Sequence, residues 1–277
     1  MPHVPTVRLN NGTAMPQLGF GVFQVPAEQT TAAVGAALEV GYRSIDTAAA
    51  YGNEAAVGKA LAGSGIAREE LFVTTKLWNS DHGADKAPQA FARSLDQLGL
   101  DHVDLYLVHW PVPSKGLFVE TWRALQDVYA DGRAKAIGVS NFTAAHLGRL
   151  LAETDMVPAV NQVELHPFLP QDALRAMHAE HGIATEAWSP LGQGGELLSH
   201  AVLTRLAEQH GVTPAQVVLR WHLQLGNIAI PKSVTPERIR SNFDVFGFEL
   251  SQGDMAEVTG LDQGRRLGPD PETFAVA

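Results

Sequence analysis

The sequence predicts a (β/α)8 barrel of the TIM type, with an N-terminal β-hairpin closing its bottom and a C-terminal loop tail. Three observations carry this. Apolar and β-branched runs start at Ser44, Phe72, Val103, Ala134, Val160, Ala184 and Asn227, so that successive starts lie 28, 31, 31, 26, 24 and 43 residues apart. Segments of helical period separate them, and strands alternating with helices form parallel sheets joined by right-handed crossovers. With LGFGV (Leu18 to Val22) as the first run there are eight strand candidates in about 230 residues, a number and length that favour closure into a barrel over an open doubly wound sheet.

Along the chain, VRLNNGTAMPQLG contains Asn11-Gly12, a hairpin signal, and residues 1–16 are read as a β-ribbon beneath the barrel. Phe91, Leu95 and Leu98 mark one helical face, Trp122, Leu125, Val128 and Tyr129 a second, and Leu174 with Met177 a third. Thr213-Pro214-Ala215-Gln216 combines an N-cap, a proline at the first helical position and a capping-box glutamine, opening a helix with Val217, Val218, Trp221 and Leu225 inward. The long last interval is expected to hold two helices and the glycine-rich GQGG. Residues 264–277 have no periodicity and read as loop. No linker, charge block or low-complexity run interrupts the chain, so residues 1–277 are expected to form a single domain.

Composition narrows the function. With 277 residues, 45% of them hydrophobic, there is material for a full core. The absence of cysteine removes disulfides, zinc–thiolate sites, iron–sulfur clusters and cysteine nucleophiles together. Any redox chemistry must therefore come from a bound cofactor. Twenty Lys and Arg against thirty Asp and Glu give a net charge of −10, which disfavours nucleic acid and anionic membranes as partners. The start MPHVPTVRLNNG has no basic-then-apolar leader pattern, and no window approaches a membrane span. A cytoplasmic monomer is expected.

In a barrel of this kind, chemistry belongs at the carboxyl ends of the strands. Those ends carry Asp46, Lys76, His109, Ser140-Asn141, Gln162 with Glu164, Trp188 and Lys232-Ser233. Strands that merely packed would end in apolar or turn residues. Taken alone, Asp46 with Lys76 would read as a structural ion pair and His109 as a core histidine; together at neighbouring strand ends they read as a site. Tyrosine is a weak acid, with a reference pKa of about 10. An ammonium beside it stabilises the phenolate, so Lys76 is expected to lower the value for Tyr51 while Asp46 balances the lysine. His109 is then placed to donate a hydrogen bond to a substrate carbonyl. Ser140, Asn141 and Gln162 offer partners for a carboxamide, and Trp188 offers a face for a flat ring. Lys232 and Ser233 precede Thr235-Pro236, a helix start whose free N–H groups make an anion site, and Arg238 adds a fork-shaped donor one turn later.

These residues lie within GYRSIDTAAAYGNE (Gly41 to Glu54), AIGVSNF (Ala136 to Phe142) and IPKSVTPERIRSNF (Ile230 to Phe243), which resemble, in order, the three signature regions of the aldo-keto reductases. The resemblance runs from the N-terminal ribbon to near residue 262. Within the family the chain is similar to bacterial 2,5-diketo-D-gluconate reductases, through LWN at Leu77, HWP at His109, NQVELHP at Asn161 and SPLGQG at Ser189. It implies a barrel that reduces aldehydes and ketones with NADPH, with Tyr51 as general acid, Lys76 lowering its pKa, Asp46 pairing with Lys76 and His109 orienting the carbonyl. It further implies that Ser140, Asn141, Gln162 and Trp188 hold the nicotinamide, and that Lys232, Ser233, Val234 and Arg238 hold the adenosine 2′-phosphate. Asn242 would contact adenine, and Ser189, Leu191 and Gln193 would line the pyrophosphate. Ser241 departs from the pattern, since many relatives carry Glu there.

Phe23, Trp78, Trp110 and Trp188 lie just past strand ends and, with His109, are expected to line a pocket for a small carbonyl compound: a sugar-derived ketone, a methylglyoxal-like dicarbonyl or an aromatic aldehyde. Three other readings are weaker. Gly19-Phe20-Gly21 lacks the third glycine and the helix that a dinucleotide fingerprint requires. His109, His166 and Glu164 lack a further cluster to complete a three-ligand metal site, so no metal is expected. A nucleotide-occupied regulatory module would have no use for the intact Asp46, Tyr51, Lys76 and His109.

Overall fold

The computed structural model describes residues 4–276, so the expected ribbon is seen from residue 4 and the tail up to residue 276. The ribbon consists of β1 (Thr6–Arg8) and β2 (Ala14–Pro16), paired antiparallel with Thr6 opposite Pro16. Its turn is one residue longer than a two-residue Asn-Gly hairpin. Leu9 N–H donates to Thr13 O at 2.9 Å and Gly12 N–H to Leu9 O at 2.9 Å, with Gly12 at φ +88°, which is a three-residue loop closed by a glycine bulge.

Eight parallel strands follow in sequence order around one sheet: β3 (Phe20–Gly21), β4 (Ser44–Asp46), β5 (Phe72–Leu77), β6 (Leu105–Val108), β7 (Ile137–Ser140), β8 (Val160–Glu164), β9 (Ala184–Trp188) and β10 (Ile228–Ala229). A parallel bridge between Leu18 and Ala229, with Gly19 N–H donating to Ala229 O and Gly21 N–H to Pro231 O, closes the first strand on the last. Helices α1 (Ala27–Val40), α2 (Glu54–Gly63), α3 (Lys86–Leu98), α4 (Phe118–Ala130), α5 (Ala144–Glu153) and α6 (Asp172–His181) connect successive strands from β3 to β9. Between β9 and β10 lie three helices rather than the expected two: α7 (Gly195–Leu198), α8 (Ala201–His210) and α9 (Pro214–Gln224). The extra one is a single turn within GQGGELL, where the glycines lead into a helix instead of remaining loop. Helix α9 starts as expected, with a capping box between Thr213 and Gln216. Two further helices, α10 (Pro236–Phe243) and α11 (Gln252–Thr259), precede the tail.

Alternation along each strand divides two cores. Outward side chains such as Val73, Tyr106, Val108 and Val139 pack with Phe91, Trp122, Leu125 and Leu147 of the helices. Inward side chains at the lower end, Phe72, Leu105, Leu107, Val160 and Ile228, meet Leu9 and Met15 of the ribbon, so the hairpin plugs the barrel with apolar surface. Asn11 Nδ2 donating to Lys135 O at 2.8 Å and Asn10 Nδ2 donating to Pro158 O at 3.1 Å fasten the plug. The bore is tight here. A Cβ on Gly138 would come within 2.5 Å of Val160 O, so β7 accepts only glycine at that position. The ribbon thus seals the amino end of the bore with apolar side chains.

Candidate active site

Above the apolar layer the same strands turn polar. Asp46 ends β4 and Lys76 lies near the end of β5, and both side chains are buried. Lys76 Nζ donates to Asp46 Oδ1 at 2.5 Å and to Thr47 O at 2.8 Å, and lies 3.5 Å from Tyr51 Oη. Tyr51 closes a short 3-10 turn, Ala49–Tyr51, followed by Gly52 at φ +66°. The loop is pinned by buried Asn53, whose Oδ1 accepts from Thr47 Oγ1 at 2.8 Å while its Nδ2 donates to Val22 O and Val25 O. Glu54 accepts from Thr75 Oγ1 at 2.6 Å and braces β5 beside Lys76. His109 follows β6, its ring 5.6 Å from that of Tyr51, and its buried Nδ1 has no partner.

The electrostatics refine one expectation. Burial pushes the Tyr51 phenol up; Lys76 pulls it down, Asp46 and Glu186 push it up again, and the net value stays above the ordinary one. Lys76 therefore moderates the cost of the phenolate without reversing it, because burial penalises the charged form more than one balanced ammonium repays. For Lys76 itself, burial lowers the pKa, but the negative partners around it, Asp46 foremost and then Tyr51 and Glu186, together outweigh burial and the ammonium stays charged. Burial and the Lys76 charge both hold His109 well below the ordinary histidine value, so it is a neutral imidazole.

Ser140, Asn141, Gln162 and Trp188 meet beside this group. Asn141 sits at φ +63°, a left-handed conformation that asparagine tolerates better than most residues. Its Nδ2 donates to His109 O at 3.0 Å and Ser140 Oγ at 3.1 Å, and its Oδ1 accepts from Trp188 Nε1 at 2.8 Å. Ser140 Oγ donates to Gln162 O at 2.8 Å. Gln162 Nε2 donates to Asp46 Oδ2 at 2.7 Å and to Glu186 Oε2 at 2.8 Å. With these donors committed, what remains toward a ligand is oxygen, a lone pair on Asn141 Oδ1 and the Gln162 Oε1, suited to a carboxamide N–H2.

The loop after β9 holds Ser189 at φ +46°, Gly192 at +56°, Gln193 at +57° and Gly194 at +81°, with Leu191 half-buried between them. Left-handed backbone of this kind turns N–H groups toward a concave side that suits anions. Pro190 O accepts from buried His222 Nε2 at 3.1 Å, which anchors the loop to α9. Ile230 N–H donates to Ala187 O, so the segment carrying Lys232, Ser233 and Val234 leaves the barrel beside that loop. Thr235 makes no capping bond to α10. Lys232 and Arg238 are exposed, and neither forms an ion pair among the described residues. An uncapped helix start with two unpaired cations fits a phosphate. Asn242 is buried in the last turn of α10.

Three of the four aromatic residues expected past the strand ends cluster around Tyr51 and His109. Phe23 is 53% exposed and packs on Tyr51 at 5.0 Å between ring centroids, and Trp78 packs on His109 at 5.2 Å. Trp110 is buried, covered by Phe274 at 4.4 Å. The expected wall residue is thus overlaid by a tail residue that the sequence reading missed. The tail is loop, as expected, but a tied one. Buried Glu164 accepts from the N–H groups of Leu267 at 2.6 Å and Gly268 at 3.0 Å and bonds His166 Nε2 at 3.0 Å. Burial pushes the Glu164 carboxyl up, yet these bonds outweigh it and hold the value below the ordinary range. Further on, Glu272 accepts from Thr143 Oγ1 at 2.6 Å and Val276 O accepts from Asn79 Nδ2 at 2.7 Å.

A barrel closed below, with a charged lysine, a tyrosine and a neutral histidine near its carboxyl end and two unpaired cations at the start of α10, is the arrangement of a nucleotide-dependent oxidoreductase of the barrel type. The Aldo/keto reductase family model matches residues 8–263, and the chain belongs to that family. It is 60% identical over 270 residues to an aldo-keto reductase of Mycolicibacterium smegmatis, covering 98% of each chain. It is 52% identical over 275 residues to the methylglyoxal reductase DkgA of Escherichia coli, covering 99% of each. The crystal structure of a substituted form of Gox0644 in complex with NADPH superposes with a TM-score of 0.94 at 47% identity, covering 99% of both chains.

Proposed function

We propose that the chain reduces small uncharged aldehydes and ketones, including α-dicarbonyls such as methylglyoxal, to alcohols with NADPH as reductant. The observation that carries this is the buried Lys76 held between Asp46 at 2.5 Å and the Tyr51 hydroxyl at 3.5 Å, directly below an aromatic mouth. The rim residues Phe23, Trp78 and Phe274 carry no charge, which favours neutral substrates. The E. coli relative is named for a small dicarbonyl of that kind.

NADPH, when bound, supplies the hydride. Asn141 Oδ1 and Gln162 Oε1 would accept from its carboxamide, Trp188 would give its ring a face, and Ser189, Leu191 and Gln193 would line the pyrophosphate. Lys232, Ser233, Val234 and Arg238 would hold the 2′-phosphate, and Asn242 would meet the adenine. His109, neutral, donates one hydrogen bond to the carbonyl oxygen and turns it toward Tyr51. The Tyr51 hydroxyl then gives its proton to that oxygen as negative charge grows there, and the Lys76 ammonium stabilises the phenolate left behind. Trp78 and Trp110 exclude water from the same space. We read the chain as one barrel domain acting as a cytoplasmic monomer; no helix among the described residues is long and apolar enough to cross a membrane.

The test is NADPH oxidation with methylglyoxal and a panel of neutral and anionic carbonyl compounds, repeated with NADH. Faster turnover of neutral substrates with NADPH is expected. Tight NADPH binding without turnover of any carbonyl would overturn the reading in favour of a regulatory module.

A further inference from the structure

Glu186 has no part in the reaction described so far, yet it lies in the middle of the site. It is on β9, inward and fully buried, opposite Gln162 of β8 in register and opposite Ile228 of β10. Its Oε2 accepts from Gln162 Nε2 at 2.8 Å, while its Oε1 is buried without a partner. The same Gln162 nitrogen donates to Asp46 Oδ2 at 2.7 Å, so one amide joins two carboxyl groups. The ionisable groups facing Glu186 are Asp46 from β4, Lys76 from β5 and Tyr51 from the loop after β4; β10 contributes only Ile228 and Ala229.

A buried carboxylate with one hydrogen bond and an orphan oxygen is costly, whereas a neutral carboxyl is tolerated there. Burial first, and the Asp46 charge second, push the Glu186 pKa up to about 8. Among the groups that act on it, the Lys76 ammonium is then matched by the single charge of Asp46. An ionised Glu186 would leave a net negative charge in the bore, and its field raises the Tyr51 pKa. The two carboxyl groups also fix the amide of Gln162. Both its N–H groups are committed, so only Oε1 is left for a ligand.

We propose that Glu186 is a positioning residue for the reduction: joined through Gln162 to Asp46, its neutral carboxyl orients the Gln162 amide and leaves Lys76 free to act on Tyr51, and its ionisation weakens Tyr51 as a proton donor. This rests on Tyr51 being the acid. Glu186→Gln keeps an acceptor for Gln162 and cannot ionise, so it isolates the charge.

Three measurements decide the matter. In the pH profile of kcat for carbonyl reduction, the alkaline limb of Glu186→Gln should lie about one pH unit above that of the wild type, so that the variant is several-fold faster than the wild type near pH 9. In the cofactor-free protein, the tyrosinate absorbance assigned to Tyr51 by difference from Tyr51→Phe should appear at lower pH in Glu186→Gln. The wild type alone should show an infrared band of a protonated carboxyl group at neutral pH that is lost as the pH passes about 8, a reading that holds even if the variant folds poorly. Superimposable profiles in two actively reducing proteins, or no such band, overturn the role of Glu186 and leave Tyr51 untouched. A wild type that oxidises no NADPH fails the underlying reading instead.

Discussion

The lower and upper halves of the barrel bore are built from the same strands and have opposite chemistry. Going up β5 the inward residues are Phe72, Thr74 and Lys76, up β6 they are Leu105, Leu107 and His109, and up β8 they are Val160, Gln162 and Glu164. The lower layer is sealed by Leu9 and Met15 against Phe72, Leu105, Leu107, Val160 and Ile228, all apolar. The upper layer gathers Asp46, Lys76, Gln162 and Glu186, all buried and all joined by hydrogen bonds. The period of two that alternates a strand between inside and outside thus also steps it from packing to chemistry. The lower layer supplies the stability against which the upper layer keeps charges dehydrated.

Exchanging the properties of the two layers tests this division. Lys76→Met should cost the most. It leaves Asp46 as an uncompensated buried charge and removes the ammonium beside Tyr51, so kcat for carbonyl reduction should fall by about 10³-fold. Circular dichroism separates this loss from unfolding. Leu107→Ala in the fully buried lower layer should do the reverse, lowering stability by about 3 kcal/mol in denaturant melts while leaving kcat near the wild-type value. If it abolished turnover in a folded protein, the two layers would not be separable.

The pH dependence of stability sharpens the comparison. The Glu186 pKa is raised from 4.5 to about 8, so between those values the folded state binds a proton that the unfolded chain lacks. Stability from this group is therefore present below about pH 4.5 and lost as the pH rises toward about 8. Denaturant midpoints across that window should fall less steeply for Glu186→Gln than for the wild type, and parallel curves would mean that Glu186 is ionised throughout. At the edge of the site, Lys232→Ala with Arg238→Ala should raise KM for NADPH by about tenfold and change KM for NADH little, because on the proposed reading both cations serve the 2′-phosphate that NADH lacks. The smallest effect is expected of Phe274→Ala, which uncovers Trp110: a change in the ranking of aldehydes by kcat/KM with NADPH affinity unaltered.

Most of the upper layer could be read in the sequence because strand ends announce themselves. Asp46, Lys76, His109, Ser140, Gln162 and Trp188 each follow an apolar or β-branched run, and the helix start at Thr235-Pro236 marks the cationic corner. Glu186 escaped notice inside ATEAWSP, although alternation from Trp188 two residues on places it on the same inward face. The tail escaped for a different reason. It has no period, and its anchors are distant in the chain, with Leu267 reaching Glu164 across 103 positions and Glu272 reaching Thr143 across 129. The net upward shift of Tyr51 was also beyond the sequence, since it depends on how completely the fold dehydrates the phenol.

The most direct test of the account is Tyr51→Phe, read both by kcat for methylglyoxal reduction and by NADPH affinity from quenching of tryptophan fluorescence. The structure predicts a loss of at least about 10²-fold in kcat with affinity within a few-fold of the wild type, because the phenol touches Lys76 and Phe23 and none of the cationic corner. A variant that still reduced methylglyoxal at close to the wild-type rate would contradict Tyr51 as the proton donor.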